Sequence, residues 1–420
     1  MTVIVSIVVF LILTLLFVSI LLLTKNKLTP TGDVKIVVNE EKELVTPRGG
    51  SVMSTLQSKG IFLSSACGGG GTCGQCRLQI FEGGGVILPT ETGFFTRKQI
   101  KEHWRLGCQT KVNHDLDIRV PEEIFGVKEW ECEVVSNYNV STFIKEFVVK
   151  LPDGEHLNFK PGSYIQINVP RYEKPFSEFN IEARPEEGRD SDRFRAEWDK
   201  YKMWELVGKN DEENVRAYSM ANHPAEGDIV MLNIRVATPP FDTAAGHWKK
   251  GIHPGICSSY IFGLKSGDKV QVSGPYGDFH ILDTRREMLY IGGGAGMAPL
   301  RSQLLHLFHT LKTTDRKISY WYGARSKNEL FYEDDFRRIK QEFPNFQFNV
   351  ALSEPLPEDH WRGYTGFIHQ VIFDNYLALH DAPEDIEYYM CGPAPMANAV
   401  KTMLDNLGVP PEMVLFDDFG

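Results

Sequence analysis

The chain has 420 residues, which is enough for two or three domains that each bury a core. Its apolar content of 42% and charged content of 24% are typical of globular proteins and exclude wholesale disorder. The formal charge of −10 argues against a nucleic-acid partner, because no excess of basic side chains is available to neutralise phosphates. Seven cysteines, three of them clustered between Cys67 and Cys76, indicate reduced thiols with a metal-binding subset rather than a secreted disulfide scaffold.

The chain starts with an apolar run. Residues 3–23 contain no charge, glycine or proline, and as a helix they span about 30 Å, the thickness of a bilayer core. We expect a retained transmembrane anchor over residues 1–24, because the alternative, a cleaved signal peptide, requires a basic start and a small-residue cleavage site. Lys25 and Lys27 open a linker over residues 25–32, and by the positive-inside rule they predict that the remaining chain lies in the cytoplasm.

Residues 33–126 combine short strands with one helix. Residues 34–46 have the β-forming pattern of a hairpin, and residues 51–60 have helical spacing with Ser51 as a candidate N-cap and Gly60 as a stop. A loop rich in cysteine and glycine follows, and then another strand-like run. This arrangement predicts a compact α+β module.

The cysteines of this module have the spacing of a metal site. Cys67, Cys73 and Cys76 are separated by five and two residues, and Cys108 follows after thirty-one more. Four thiolates can hold either zinc or an iron–sulfur cluster. Zinc ribbons usually present two Cys-x2-Cys pairs, whereas this loop has one, and its glycines permit the positive φ that turns backbone N–H groups toward bridging sulfides. The pattern therefore favours a 2Fe–2S cluster over zinc.

Residues 127–283 contain many short strand-like runs separated by turn signals, which predicts an antiparallel β-barrel. A densely charged segment at about 182–211 interrupts them and is expected to be a surface insertion with a helix, either solvated or a docking surface. The motif "RAYSMAN" (216–222) offers a cation for a diphosphate, an aromatic face and a hydroxyl. Residues 255–258 are small and precede a helix, whose N-terminus suits a pyrophosphate.

From residue 284 to 420 strand-like and helical runs alternate, which predicts an α/β domain with a doubly wound parallel sheet. The motif "GGGAGMAP" (292–299) follows a strand and opens a helix, as a phosphate-binding loop requires. The motifs "YGAR" (322–325) and "CGPAPM" (391–396) fall at the carboxyl ends of later strands, where open α/β sheets bind ligands.

These motifs resemble known families. "CGGGGTCGQC" with "RLGCQTKV" resembles the ferredoxins with a β-grasp fold, and its five-residue first interval is similar to the adrenodoxin-like branch. The barrel and sheet motifs resemble the ferredoxin–NADP reductase superfamily. The resemblance implies FAD in the barrel, a nicotinamide cofactor on the sheet, and a 2Fe–2S cluster held by Cys67, Cys73, Cys76 and Cys108.

The reductase resemblance implies roles for residues of the barrel. Arg216 would contact the FAD phosphates, Tyr218 would stack on the isoalloxazine ring, and Ser219 would hydrogen-bond near its N5 atom. Ser219 is also a candidate catalytic residue. The residues implied to bind FAD lie in one strand and one loop: Arg216, Ala217, Tyr218, Ser219, Gly255, Ile256, Cys257 and Ser258.

The reductase resemblance also implies roles for residues of the sheet domain. Cys391 and Gly392 would flank the nicotinamide, although Cys391 taken alone would favour a buried packing role. Phe419 would cover the flavin until nicotinamide displaces it, so Cys391 and Phe419 are also candidate catalytic residues. Arg325 could meet the 2′-phosphate of NADPH, but several acids follow it and we favour NADH. The dinucleotide would lie on a glycine-rich loop through Gly293, Gly294, Gly296 and Pro299.

The order of modules resembles two groups of proteins. One is the soluble reductase component of multicomponent oxygenases. The other is the family of F subunits in the sodium-translocating NADH:ubiquinone reductases, whose members carry an N-terminal membrane helix. The apolar start, the motif "RAYSMANHPAE", the charged insertion and the ending "FDDFG" are similar to the second group over nearly the whole chain.

This resemblance implies an NADH:ubiquinone oxidoreductase component, single-pass in a bacterial inner membrane, with catalytic domains in the cytoplasm. NADH would give hydride to FAD, and single electrons would pass through the 2Fe–2S cluster to multi-span membrane subunits and ubiquinone. Sodium would cross in those partners, because one uncharged helix offers no ion path. A membrane-tethered oxygenase reductase is the alternative, and a colourless zinc-binding protein is the alternative from a non-enzymatic class.

Overall fold

The chain divides into two compact units, Met1–Ser64 with Gly69–Phe125 and Ser65–Gly68 with Gly126–Gly420. The predicted boundaries between a barrel and a sheet domain stay predictions, because this division keeps both within the second unit. The computed structural model describes residues 6–7, 10–20, 32–65, 67–185 and 190–417, and only the backbone of residues 122–123.

The N-terminal apolar run is helical where the structure describes it, with α1 over residues 10–20. Its apolar side chains are exposed, and the Thr14 hydroxyl donates to the Phe10 carbonyl 2.7 Å away within the helix. No described helix is long and apolar enough to cross a membrane. Parts of the predicted span, namely residues 3–5, 8–9 and 21–23, lie outside the described residues, so the anchor stays a prediction.

The described residues of the first unit form a five-stranded sheet with the order β2-β1-β5-β3-β4. Its elements are β1 (Asp33–Val38), β2 (Lys42–Pro47), α2 (Val52–Ser58), β3 (Arg77–Glu82), α3 (Pro89–Thr92), α4 (Arg97–Lys101), β4 (Trp104–Leu106) and β5 (Leu116–Arg119). β1 pairs antiparallel with β2 and parallel with β5, which confirms the predicted hairpin. The Ser51 hydroxyl accepts from the Ser54 N–H at 3.0 Å, so the predicted N-cap of α2 is also confirmed.

The second unit contains the predicted antiparallel barrel. One six-stranded sheet has the order β11-β8-β15-β6-β7-β12, and a bridge between Met220 and Leu232 joins its two edges. Alternate side chains point into one apolar core, as expected for half-buried strands. The strands are β6 (Lys128–Ser141), β7 (Ile144–Lys150), β8 (Tyr164–Val169), β9 (Tyr172–Pro175), β10 (Val207–Asn210), β11 (Asn214–Ser219), β12 (Ile229–Arg235), β13 (Phe241–Asp242), β14 (His247–Trp248) and β15 (Lys269–Tyr276). The helices are α5 (Arg195–Lys200) and α6 (Ile256–Phe262).

The charged insertion is more than the solvated excursion that its composition suggested. It contains the predicted helix, α5, but its apolar side chains Phe194, Trp198 and Met203 are fully buried, the last two in the barrel core. The Trp198 indole also donates to the Thr142 carbonyl at 2.7 Å, at the turn between β6 and β7. The charged residues between these side chains concealed their burial in the sequence pattern.

The C-terminal part of the second unit is the predicted doubly wound sheet. Its strands are all parallel, in the order β19-β18-β17-β16-β20-β21. Alternate residues of the central strands belong to two separate apolar clusters, one on each face of the sheet, so helices cover both faces of the sheet. The strands are β16 (Met288–Gly293), β17 (Ile318–Ala324), β18 (Phe346–Leu352), β19 (Tyr364–Thr365), β20 (Glu387–Cys391) and β21 (Val414–Asp417). The helices are α7 (Met297–Leu305), α8 (Glu333–Glu342), α9 (Ile368–Asn375) and α10 (Ala394–Asn406).

The burial of Trp198 makes a prediction for stability. Trp198→Ala is expected to destabilise the folded chain by about 3–5 kcal/mol, because it leaves a cavity in the barrel core and an unpaired Thr142 carbonyl. Trp204→Ala is the matched control. Trp204 is only half-buried, and its ring centre lies 5.0 Å from that of Trp198. Urea unfolding followed by fluorescence measures both, and equal losses for the two variants would contradict the placement of Trp198 in the core.

Candidate redox site

Two turns meet at the carboxyl edge of the parallel sheet. β16 lies between β17 and β20, and the strand order reverses there, so this is the point at which doubly wound sheets bind ligands. The motif at 292–299 forms the end of β16, a 3-10 turn Gly294–Gly296 and the start of α7. A Cβ on Gly296 would lie 2.1 Å from the Cys391 carbonyl oxygen, so only glycine allows the two turns to approach this closely.

The predicted nicotinamide residues therefore lie together. Gly293 ends β16, Pro299 lies in the first turn of α7, and Cys391 ends the neighbouring strand β20 with Gly392 directly after it. Cys391 is 2% exposed, which also suits the packing role that its sequence left open. α7 begins at this edge without a side-chain cap, and a helix N-terminus is a common binding position for a pyrophosphate.

The end of the barrel strand β11 reaches the same edge. The Ser219 hydroxyl, which is 6% exposed, donates to the Asp417 carboxylate at 2.5 Å. Asp417 ends β21 and was not predicted as a site residue, although the acidic ending of the chain was visible in the sequence. Phe419, the predicted cover of the flavin, lies outside the described residues.

The other predicted flavin residues form a second group around β11. Arg216 and Tyr218 share one face of the strand, whereas Ala217 and Ser219 lie on the other. The Arg216 guanidinium donates to the Val215 carbonyl at 2.7 Å. Burial, together with the adjacent Cys257 thiol, raises the pKa of Tyr218 well above its usual range, so its ring is a neutral aromatic surface.

The loop at residues 255–258 is held by hydrogen bonds from Ala237 and Tyr172. Gly255 begins α6, and a Cβ there would lie 2.7 Å from Ala237 Cβ. Ser258 Oγ accepts from the Ala237 N–H at 3.1 Å, and the Ile256 carbonyl accepts from the Tyr172 hydroxyl at 2.5 Å. Burial raises the pKa of the Cys257 thiol to about 12, so Cys257 stays protonated at neutral pH and packs as a small apolar side chain.

The cysteine loop of the first unit is shaped by glycine. Gly69, Gly71 and Gly74 have φ of +90°, +77° and +66°, in the left-handed region that favours glycine. A Cβ on Gly71 would lie 2.3 Å from Gln109 Nε2, and one on Gly74 would lie 2.3 Å from the Phe94 ring. Only glycine therefore fits this loop, which agrees with the backbone that an iron–sulfur cluster requires.

Three of the predicted cluster ligands also lie in this unit. A hydrogen bond with Cys108, together with burial, raises the pKa of the Cys76 thiol, and Cys73 adds to the shift, so the three thiols are neighbours. The Gly107 N–H donates to the Cys76 carbonyl at 2.8 Å and fixes the position of Cys108 relative to β3. Among the described residues, no group of three His, Cys, Asp or Glu is arranged to hold a single metal ion. The ligand set stays a prediction.

A buried ion pair supports the turn that carries Cys108. Glu91, which is fully buried, accepts from the Arg105 guanidinium at 2.8 Å and from the Leu106 N–H at 2.8 Å. Burial opposes its ionisation, but the Arg105 hydrogen bond and the backbone donors lower the pKa of Glu91. Neither residue was selected from sequence, because the two lie fourteen positions apart with no motif to join them.

A second buried cation joins the barrel to the sheet. Arg301 on α7 donates to the Ala221 carbonyl at 2.8 Å, to Glu226 at 3.0 Å and to Asp335 at 3.0 Å. Its guanidinium also lies 4.9 Å from the centre of the Tyr332 ring. Burial opposes the ionisation of Glu226, but His223 and Arg301 lower the pKa of Glu226 to about 2. This cluster fixes the segment after Ser219 against the helix that starts at the dinucleotide turn.

Arg325, the remaining predicted cofactor residue, directly follows β17. Its guanidinium lies 3.4 Å from Glu329 and 3.6 Å from Glu197. Burial would lower the pKa of Arg325, but the two carboxylates raise it above its usual value. The acids that follow Arg325 were visible in the sequence, whereas Glu197 was not predicted because it belongs to the charged insertion.

Family comparisons agree with this arrangement. Residues 36–113 match the 2Fe-2S iron-sulfur cluster binding domain, residues 194–281 the oxidoreductase FAD-binding domain, and residues 290–402 the oxidoreductase NAD-binding domain. The chain is therefore an iron–sulfur flavoprotein oxidoreductase, and the predicted cofactors FAD, 2Fe–2S and NADH are confirmed.

Curated relatives narrow this class. The chain is 52% identical over 403 residues, 96% of its length and 95% of the relative's, to the F subunit of the Na(+)-translocating NADH-quinone reductase of Pseudomonas aeruginosa. It is 51% identical to the corresponding protein of Neisseria meningitidis, with 100% of both chains covered. The chain belongs to the family of the Na(+)-translocating NADH-quinone reductase F subunits, as its motifs indicated.

Solved structures show the same fold. The Amycolatopsis cytochrome P450 reductase GcoB matches with a TM-score of 0.61 and 21% identity, covering 92% of this chain and 98% of its own. The ferredoxin reductase of carbazole 1,9a-dioxygenase matches with a TM-score of 0.58 and 22% identity, covering 93% and 99%. At these identities the likeness concerns the fold, and it confirms the multidomain reductase layout.

The Arg301 cluster predicts a dependence of stability on pH. Because the pKa of Glu226 is lowered from 4.5 to about 2 in the folded chain, its contribution is fully present above about pH 4.5 and is lost as the pH falls toward 2. Glu226→Gln is expected to cost about 3 kcal/mol at pH 7 and to flatten the pH dependence below 4.5. Unfolding by urea at several pH values measures both effects, and an unchanged slope in the variant would contradict the assignment.

Proposed function

We propose that this chain is the electron-input subunit of a sodium-translocating NADH:quinone reductase and that NADH is oxidised on this chain. The observation that carries the proposal is the meeting of four strand ends at one edge of the sheet. The dinucleotide turn after β16, the Cys391–Gly392 turn after β20, and the Ser219–Asp417 hydrogen bond that joins β11 to β21 all lie there. A nicotinamide turn and a flavin strand that end at the same place support hydride transfer between their ligands.

The residues of the barrel would hold FAD, which when bound takes two electrons as hydride and releases them singly to a 2Fe–2S cluster. Arg216 offers a positive charge for the phosphates, and Tyr218 offers a neutral ring face. The backbone of residues 255–258 completes the phosphate site. Ser219 keeps its hydroxyl hydrogen directed at Asp417, so its oxygen is oriented and can accept a hydrogen bond from the ring.

The residues of the sheet would position NADH. Gly293, Gly294 and Gly296 would let the dinucleotide approach the backbone, and Pro299 lies in the first turn of α7, whose N-terminus would bind the pyrophosphate. Cys391 and Gly392 flank the nicotinamide. Phe419, as the resemblance implies, covers the flavin. No general base is required, because hydride transfer moves no proton from a substrate hydroxyl.

The cluster and the membrane complete the proposal. The four cysteines Cys67, Cys73, Cys76 and Cys108 would ligate the 2Fe–2S cluster, which would supply single electrons to multi-span membrane subunits of the same complex and then to ubiquinone. Residues 1–24 anchor the chain as a single pass in the bacterial inner membrane, with the catalytic domains in the cytoplasm. The composition of residues 3–23, the lysines after them and the names of the relatives support this assignment.

An oxygenase-linked reductase is the second candidate. The names of the two solved structures with the same fold link them to a cytochrome P450 and to a dioxygenase. At 21% and 22% identity, however, they are evidence only for the fold. The relatives at 52% and 51% identity are quinone reductase subunits, which favours the first proposal.

The cysteine assignment predicts a change in colour. Cys76→Ser and Cys108→Ser are each expected to remove most of the iron and the visible absorbance of the cluster while FAD is retained, because a thiolate ligand is lost. Cys132→Ala is the matched control, since Cys132 lies in the barrel core and burial raises its pKa to about 12. Iron analysis and absorption spectra measure the result. Equal iron in the serine variants and the control would refute the ligand set.

The anchor assignment predicts a separation of activities. A chain without residues 1–24 is expected to reduce an artificial quinone with NADH at nearly the full rate but to support no sodium-dependent ubiquinone reduction with the partner subunits. Detergent extraction of the full chain is expected to bring multi-span membrane subunits with it. If the shortened chain restores sodium-dependent activity, or if no such subunits copurify, the membrane part of the proposal fails. A full rate with a hydroxylase as acceptor would favour the second candidate.

A further inference from the structure

The barrel insertion places an acid beside the end of the second strand of the parallel sheet. Glu197 on α5 has its Oε2 atom 3.6 Å from Nη2 of Arg325, the residue that directly follows β17. The two residues come from different parts of the fold, since α5 belongs to the barrel insertion and β17 to the nucleotide-binding sheet. The charged insertion therefore contributes to the edge at which the dinucleotide is expected.

A second carboxylate faces the same cation. Glu329 Oε1 lies 3.4 Å from Nη2 of Arg325, and Glu329 is itself held by the Ser141 hydroxyl at 2.7 Å and the Thr142 hydroxyl at 2.5 Å. Two negative charges thus surround one positive charge. Both carboxylates lie within ion-pair distance of Nη2, so the guanidinium is not free to receive another anion.

The insertion is fixed in this position by the barrel. The Trp198 indole, next to Glu197 in the chain, donates to the Thr142 carbonyl at 2.7 Å and stacks on Phe143 with ring centres 6.5 Å apart. The same turn therefore holds Trp198 through a carbonyl and Glu329 through two hydroxyls. Glu197 is positioned by a buried neighbour, unlike an ordinary surface ion pair that relies on two mobile side chains.

One oxygen of Glu197 has an unused hydrogen-bonding capacity. Glu197 Oε2 is excluded from solvent and accepts no hydrogen bond from any described residue, while Oε1 accepts from Lys200 at 2.8 Å. This is the oxygen that lies 3.6 Å from Arg325, and a buried acceptor without a donor gains a hydrogen bond if a ligand hydroxyl reaches it. A ribose hydroxyl can donate to this oxygen, whereas a phosphate offers mainly acceptors and a further negative charge.

The end of the second strand is the position where doubly wound sheets distinguish the two nicotinamide cofactors. An acid there receives the ribose 2′-hydroxyl of NADH, and an unpaired arginine there accommodates the 2′-phosphate of NADPH. We propose that Glu197 of the insertion, with Glu329, selects NADH by binding the ribose hydroxyl and by neutralising Arg325. This inference rests on the proposed function, because it places the adenosine half of the dinucleotide at this edge.

The test compares Glu197→Gln with Glu205→Gln in the full chain loaded with its cofactors. Glu205 lies on the same insertion and is exposed, so the control removes the same charge away from Arg325. ADP-ribose and its 2′-phosphorylated form are titrated by calorimetry, since they probe the adenosine half without turnover. In Glu197→Gln the affinity ratio is expected to shift toward the phosphorylated ligand by about tenfold or more. In Glu205→Gln it is expected to stay within about twofold.

Variants of Arg325 provide the second part of the test. In Glu197→Gln the released guanidinium is expected to bind the 2′-phosphate, so adding Arg325→Gln should remove the gain. Arg325→Gln alone removes the cation that both acids face and is expected to weaken binding of the phosphorylated ligand further, which keeps the inference testable if Glu197→Gln does not fold. Equal ratios in Glu197→Gln and Glu205→Gln, or no change in Arg325→Gln, would overturn it. A chain that neither binds ADP-ribose nor oxidises NADH would instead remove the proposed function.

Discussion

The hydrogen bonds of the Arg301 guanidinium fix the position of the barrel relative to the parallel sheet in the second unit. Arg301 is carried by α7, which begins at the dinucleotide turn, and it binds the carbonyl of Ala221, two residues after Ser219. Because Arg301 is 7% exposed, moving it away from Glu226 and Asp335 would leave an uncompensated charge in the core. The end of β11 and the turn at Gly294–Gly296 therefore keep a fixed spacing. The proposed hydride transfer requires such a spacing, because donor and acceptor react at about 3–3.5 Å.

The first unit uses the same physical device on a smaller scale. Arg105 pairs with the buried Glu91 and also donates to the Gly84 carbonyl at 2.6 Å, while Glu91 holds the Leu106 N–H. This pair anchors the chain just before Cys108, as Arg301 anchors the chain just after Ser219. In each unit, a buried arginine with an acidic partner ties a loop that carries predicted redox residues to the apolar framework.

Much of the fold could be predicted because it rests on local signals. Strand alternation, the Ser51 cap and the glycine turn at residues 292–299 are properties of neighbouring residues, and the structure confirms each of them. Tertiary pairs carry no such signal: Ser219 and Asp417 lie 198 positions apart, and Arg301 and Glu226 lie 75 apart. The burial of Phe194, Trp198 and Met203 in the insertion was missed for a related reason, since its charged residues outnumber the few side chains that are buried. The cluster ligands stay predictions because no three described His, Cys, Asp or Glu residues are arranged to hold a metal ion, and the anchor stays one because parts of residues 3–23 lie outside the described residues.

The turn at Thr142 has a consequence for how this fold can change. Its carbonyl holds Trp198 and its hydroxyl holds Glu329, so the insertion and the loop after β17 share one support. Loops between strands usually tolerate loss or gain of residues, because little else depends on them. Here a deletion that trims the insertion to a short connection would empty part of the barrel core and also remove Glu197 from beside Arg325. A minimal version of this reductase cannot be obtained by shortening that loop alone, since its length is coupled to both packing and charge.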